Sequence, residues 1–256
     1  MGKRRSFLLY PPALIYGLIT AIRNYLYNSG MLASAEFRVP VICTGNITVG
    51  GTGKTPHAEY LAGLLRKEFR IAVLSRGYKR RSSGFQIASQ GSGAGDIGDE
   101  PLQIALKFPD ILVAVYNDRV NGVKNLLKNY PDIDAVILDD GFQHRKIKPG
   151  LSILLSGYNQ PMHEDFMLPY GNLRESIKNI RRADMVVITK VPPDISMEEL
   201  QKTAGPLKKI FGKKVFFTSL KYEIPLKLFG NSMVEKTDND ENNSDETGAV
   251  VVTGIA

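Results

Sequence analysis

Only one cysteine, Cys43, occurs in the 256 residues, which excludes an internal disulfide and fits a reducing compartment. Set in an apolar strand, it reads as a small buried hydrophobe with no chemical role. A long apolar run is also missing. Phe7 to Ile22 is interrupted by Pro11 and Pro12 and falls short of the roughly 20 residues a spanning helix needs. No internal repeat is present, so solenoid and propeller architectures are excluded. Acid is in deficit: 26 Asp and Glu face 33 Lys and Arg, and the net charge of +7 favours anionic partners. Phosphates, nucleic acid and acidic lipid headgroups all satisfy that sign. The 43% hydrophobic content is enough for one good-sized core, or one core and the beginning of a second.

The amino terminus differs from the rest. Lys3, Arg4 and Arg5 precede the apolar stretch and Arg23 follows it, which suits an interfacial or shallowly inserted helix. Two other readings remain open at this point. Ala33-Ser34-Ala35 resembles a signal-peptide cleavage site, and the segment could instead pack on the protein itself. Export conflicts with the nucleotide-binding loop that comes next.

From Val39 onward, short apolar runs alternate with longer amphipathic ones, the pattern of a doubly wound α/β sheet with parallel strands and helices on both faces. Strands are expected at Val39 to Thr44, Ile71 to Ser75, Ile111 to Val115, Ala135 to Leu138, Leu151 to Leu155, Met185 to Thr189 and Val215 to Thr218. Helices are expected at Lys54 to Lys67, with Ala58, Leu61, Leu64 and Leu65 on one face, and at Glu100 to Lys107, Arg119 to Asn129 and Ser196 to Phe211. Arg80 to Gly98 is Gly- and Ser-rich and reads as a loop excursion near the active edge. Lys236 to Thr247 is polar and acidic and reads as a solvated linker. A further strand is expected at Ala249 to Val252, with no helix after it to cover it, as though a second domain had just begun.

The chemistry concentrates in Thr48-Val49-Gly50-Gly51-Thr52-Gly53-Lys54-Thr55, directly between a strand and a helix, where a phosphate-binding loop belongs. Its glycines let backbone amides wrap phosphate oxygens. Lys54 would reach the β- and γ-phosphates, and the Thr55 hydroxyl would ligate Mg²⁺. Thr48 stands where the motif usually has its first glycine. The strand Ala135 to Leu138 ends in Asp139 and Asp140, two adjacent carboxylates that suit a cation. Asp99 opens a helix after Gly98, and serves either as general base toward a hydroxyl or as helix cap. Arg76, Lys79, Arg80, Arg81, Arg119, Arg145 and Arg174 fall near strand ends or helix starts, where ligands gather in such sheets.

Several of these segments together resemble the tetraacyldisaccharide 4′-kinase family, in order along nearly the whole chain. They are Gly45-Asn46-Ile47-Thr48 continuing to Thr55-Pro56, Leu74-Ser75-Arg76-Gly77-Tyr78, Gly98-Asp99-Glu100-Pro101, Asp118-Arg119, Leu138 to Arg145, Leu168 to Glu175 and Ile188-Thr189-Lys190. The resemblance implies a P-loop NTPase-like kinase using ATP and Mg²⁺ to phosphorylate the 4′-hydroxyl of an acylated disaccharide 1-phosphate, forming lipid IVA. It implies Asp99 as catalytic base, with Lys54, Arg119 and Arg174 in the reaction cleft. Thr48 to Thr55 and Gln143 would bind the nucleotide, and Thr55, Asp139 and Asp140 the metal.

The organisation it implies is a membrane-associated helix at 1–37, a kinase core at 38–220, and at 221–256 a hinge, an acidic loop and the start of a second, smaller α/β domain. Besides its lipid substrate, the expected partner is the anionic membrane surface at the cytoplasmic face of a bacterial inner membrane. Nucleic acid is not expected, and no protein partner is inferable. A GTPase-like switch is the nearest rival, but its guanine-reading strand would want an Asp where Pro192 stands. A noncatalytic nucleotide-binding module is the other rival.

Overall fold

The computed structural model describes residues 6–212 and 214–221. The described residues up to Leu220 form one compact unit. The acidic linker and the strand expected at Ala249 to Val252 therefore lie outside the described residues.

Eight strands form one sheet: β1 (Val41–Gly45), β2 (Ile71–Ser75), β3 (Gln86–Ile87), β4 (Leu112–Val115), β5 (Ala135–Leu138), β6 (Leu151–Gly157), β7 (Met185–Thr189) and β8 (Val215–Phe217). Their order is β3-β4-β2-β5-β1-β6-β7-β8, parallel throughout except for β3, which runs antiparallel to β4 at one edge. The helices are α1 (Tyr10–Asn28), α2 (Lys54–Leu65), α3 (Ala94–Ile97), α4 (Asp99–Lys107), α5 (Arg119–Asn129) and α6 (Met197–Phe211).

Both faces of the central strands are covered, and the two-residue strand period divides their side chains between separate cores. Ile42, Val73, Val113 and Ile137 pack with Ala58 and Ala62 of α2 and Ile104 of α4. Val41, Leu74, Ala114 and Val136 pack with Val123 and Leu126 of α5. A third cluster joins Leu154, Val186 and Ile188 to Ala204, Leu207 and Phe211 of α6. Each fully buried Leu, Ile or Val contributes about 1.5–3 kcal/mol.

Helix ends follow local chemistry. Asp118 caps α5 by accepting from the Asn121 amide at 3.2 Å, Ser196 caps α6 by accepting from Glu199, and Gly212 ends α6 in the left-handed region.

Three expectations need correction. Pro11 and Pro12 do not interrupt the first helix but open it, because first-turn amides have no intrahelical acceptor and proline lacks one to leave unpaired. On α2, Ala58, Leu61 and Leu65 face the core as expected, joined by Ala62 and Glu59, but Leu64 is half exposed. Glu59 turns inward because Gln103 and Lys107 of α4 both donate to it, Lys107 at 2.7 Å. The glycine-rich excursion from Arg80 to Gly98 also contains two elements, β3 and α3.

A close backbone approach lies at the end of β1. A Cβ added to Gly45 would sit 2.7 Å from the Phe142 Cβ and 2.8 Å from its amide nitrogen. Gly45→Ala should therefore destabilise the unit by about 1–3 kcal/mol, read as a fall of several degrees in a thermal melt. An unchanged melting temperature would show that β1 and the segment after β5 can separate without cost.

Candidate active site

β1 lies between β5 and β6, at the point where successive strands change direction across the sheet. In open α/β sheets the ligand crevice lies beyond the strand ends at such a point, and the phosphate-loop sequence directly follows β1 there. Gly50 (φ 119°) and Gly53 (φ 80°) adopt backbone conformations closed to most side chains. Gly53 is also the N-cap of α2, so the free amides of the helix start face the crevice.

The loop is braced from three sides. Beneath it, the fully buried Asn46 donates from Nδ2 to the Thr52 hydroxyl at 2.8 Å and more weakly to the Thr48 hydroxyl and Gly50 carbonyl. From β7, the Thr189 hydroxyl donates to the Thr52 carbonyl at 2.9 Å. Along its side, Val49 donates to Asn172 (2.8 Å) and Arg174 donates to Ile47 (2.7 Å), backbone to backbone, which draws Arg174 alongside the loop. Thr48, the departure from the motif, takes part in this pairing opposite Leu173.

His57 adds a tie. Its Nδ1 donates to the Gly53 carbonyl at 2.7 Å, and Nε2 lies 3.0 Å from the Thr218 hydroxyl beyond β8. Burial lowers its pKa, so the neutral ring accepts the hydroxyl proton at Nε2.

The two carboxylates after β5 differ. Asp140, at φ 52°, reaches the crevice with Oδ2 3.9 Å from Lys54 Nζ and 3.7 Å from Arg174 Nη1. Arg174 Nη1 also donates to Gln143 Oε1 at the long limit of 3.5 Å. Asp139 is buried, and its Oδ1 has no hydrogen-bond partner among the described residues. Burial, then the charges of Glu100 and Asp140, push its carboxyl up to about 7, against the pull of Lys54 and Arg119.

Arg119 is buried as well, donating to the Asn117 carbonyl at 3.2 Å while Nε finds no partner among the described residues. Burial and Arg76 lower its pKa, and Asp140 and Asp139 raise it. Thr55 occupies the first turn of α2 beside Lys54.

Asp99 is not a cap. Gly98 holds the N-cap position of α4 at φ 92°, and Asp99 is the first helical residue. A Cβ at position 98 would meet the Tyr78 carbonyl at 3.0 Å, which keeps the capping position for glycine. Asp99 lines a neighbouring cavity of about 360 Å³ with Tyr78, Lys79 and Arg81.

Residues the motifs did not single out also matter. Of the neighbouring charges, Glu100 acts most strongly on Asp139. An acidic pair directly after a left-handed glycine was its available signal. Asn46 and Thr189 stand within the segments that carry the family resemblance, which assigns them no role: Asn46 bonds loop residues close by in the chain, while Thr189 meets Thr52 from a distant strand, a pairing no local spacing displays.

A buried carboxylate oxygen without a partner, beside a second carboxylate, fits a divalent cation. Among the described residues no three His, Cys, Asp or Glu side chains are grouped to enclose a metal unaided. Mg²⁺ is commonly held by one or two carboxylates together with phosphate oxygens.

Without a cation, Asp139 weakens the fold. With its folded pKa above the unfolded value, the stability tied to its protonated form is complete below the unfolded pKa and is lost as pH rises through about 7. Asp139→Asn should therefore raise the denaturation midpoint of the nucleotide- and metal-free chain, with a larger gain at pH 8 than at pH 5. A lower midpoint at pH 8 would show that the carboxylate has a stabilising partner.

Residues 5–256 match the model of the Tetraacyldisaccharide-1-P 4'-kinase family. The chain is 48% identical over 219 residues to the Tetraacyldisaccharide 4'-kinase of Flavobacterium johnsoniae, covering 86% of this chain and 64% of that one. It is 46% identical over 253 residues to the protein of the same name from Bacteroides thetaiotaomicron, covering 97% and 67%. The chain thus spans about two thirds of the length of these curated relatives. Among solved structures it is similar to LpxK from Aquifex aeolicus in complex with ATP. The identity is 36%, the TM-score 0.66, and the match covers 82% of this chain and 80% of that one. This chain belongs to the Tetraacyldisaccharide-1-P 4'-kinase family.

Proposed function

We propose that this chain carries the ATP site and phosphate-transfer residues of a kinase acting on the 4′-hydroxyl of a tetraacylated glucosamine disaccharide 1-phosphate. The observation that carries the reading is Asp140, poised between Lys54 and Arg174 at the mouth of the phosphate loop, with Asp139 buried behind it. Family membership and the ATP-bound relative support the choice of ATP and of a lipid-linked sugar.

Each residue then has a task. The amides from Val49 to Thr55 and Lys54 hold the triphosphate, while Gln143 borders the nucleotide. Asp139, Asp140 and the Thr55 hydroxyl would hold Mg²⁺, which when bound offsets phosphate charge. Asp99 accepts the proton of the 4′-hydroxyl as that oxygen attacks the γ-phosphorus. The bond from the γ-phosphorus to its bridging oxygen breaks, and ADP leaves. Lys54, Arg119 and Arg174 stabilise the charge spread over the transferring group, which is where most catalysis in phosphoryl transfer arises.

The acceptor is an amphiphile, and α1 suits it. Leu14, Ile15, Leu18, Ile19 and Ile22 are all exposed along one side of the helix. Among the described residues no helix is long and apolar enough to cross a membrane. The proposed role of α1 is to lie in the headgroup region of an anionic leaflet, at the cytoplasmic face of a bacterial inner membrane.

Asp99→Asn should lower turnover by about 100- to 10,000-fold with little change in ATP affinity, measured by transfer of labelled phosphate and nucleotide titration. Near-normal turnover would remove Asp99 from the reaction. A Leu14→Ser, Leu18→Ser double variant should cut co-sedimentation with phosphatidylglycerol-containing vesicles by at least about tenfold, because two apolar side chains no longer enter lipid. Undiminished binding would mean that another surface meets the membrane.

A further inference from the structure

The side of α1 opposite its exposed leucines and isoleucines is polar and engages two segments of the active site. The Tyr16 hydroxyl donates to the Arg174 carbonyl at 3.2 Å, and Arg23 Nη2 donates to the Gln143 carbonyl at 3.2 Å. Next to Arg23 in the chain is Asn24, only 3% exposed. Its Nδ2 donates to Glu175 Oε2 at 3.1 Å, and its Oδ1 accepts from Arg145 Nη1 at 3.0 Å. Arg145 Nη2 also donates to Asn28 at 2.8 Å. Glu175, itself 2% exposed, receives further bonds from Arg182 at 2.7 Å and Asn179 at 3.0 Å.

Hydrophobic anchoring would need none of this. A buried amide is costly unless both its ends are used, and here both ends hold charged groups from different segments. One of those groups follows Arg174 in the chain and the other lies two residues after Gln143. Arg174 and Gln143 are the side chains that face each other next to Asp140.

We propose that Asn24 is a positioning residue: by joining Glu175 to Arg145 it fixes the backbone from which Arg174 and Gln143 reach the phosphate site. The helix that meets lipid thereby also sets the geometry at the reacting phosphate. The catalytic part of this inference rests on the kinase reading above, while the structural part does not.

The experiment compares Asn24→Ala and Asn24→Asp with the unsubstituted chain by hydrogen exchange, vesicle co-sedimentation and phosphate transfer. Asn24→Ala should speed exchange by about tenfold at the amides of 141–145 and 173–175 while leaving β2 and α5 unchanged. Vesicle binding should not change. Turnover should fall by about tenfold or more, as small misplacements do, with the KM for ATP nearly constant.

Asn24→Asp should be worse than Asn24→Ala, because it keeps the shape but faces Glu175 with a second carboxylate. A space-filling role demands the opposite order, and that order would overturn the proposal. So would exchange that is unchanged, or that rises uniformly through the unit. Should both variants misfold, Tyr16→Phe removes one hydroxyl only and should loosen 173–175 alone; unchanged exchange there would also overturn it. If exchange shifts as expected but the unsubstituted chain transfers no phosphate, the kinase reading fails and the positioning role stands.

Discussion

Asp139 sits at the end of β5 with an unpartnered oxygen and almost no exposure, and burying such a charge costs several kcal/mol of folding free energy. The neighbouring cations do not cancel that cost. Lys54 stands 3.9 Å from Asp140, beyond hydrogen-bond range, and Arg119 donates to the Asn117 backbone carbonyl. Closer pairing would satisfy the charges and close the site to phosphate. The sheet supplies the offsetting stability through three apolar cores, which is why strands buried on both faces surround a crevice lined with unsatisfied groups.

A glycine-rich loop gains access to phosphate by giving up side-chain packing, so its shape has to be imposed from outside. Here the restraints come from distant parts of the chain: Thr189 from β7, Asn172 and Arg174 from the segment before β7, and Thr218 through His57. Asn46 and the His57 bond to Gly53 are local. Backbone pairing with residues 172 to 174 has a second effect, since it delivers the Arg174 side chain to Asp140. Loop shape and arginine placement are thus one structural feature.

The strand pattern was legible because parallel strands buried on both faces leave unbroken apolar runs. β2, β5 and β7 fall on the expected residues, and the phosphate loop and its carboxylates announce themselves by type and spacing. What could not be read depends on partners far along the chain. The burial of Glu59 on α2 turned on Gln103 and Lys107, 44 and 48 residues away, while of the expected face only Leu64 turned outward. Position 99 was ambiguous because an Asp after glycine suits a cap and a first-turn residue alike. The decision came from Gly98, whose left-handed backbone against the Tyr78 carbonyl leaves no room for another residue. The short antiparallel β3 carries too few residues to show any period.

A helix that touches protein on one side and lipid on the other cannot choose its orientation by hydrophobicity, because apolar groups are buried equally well in either place. The choice has to come from groups that one environment rejects. On α1 those are Arg23, Asn24 and Asn28, whose bonds are completed by Gln143, Glu175 and Arg145. Rolling the helix so that they faced lipid would leave Glu175 and Arg145 short of partners and put an arginine into hydrocarbon, each a penalty of a few kcal/mol. The apolar side pays no comparable penalty for facing lipid. The polar network therefore determines which face of α1 is left outward for the proposed contact with a bilayer, and the same bonds that fix this rotation run to the residues flanking Arg174 and Gln143.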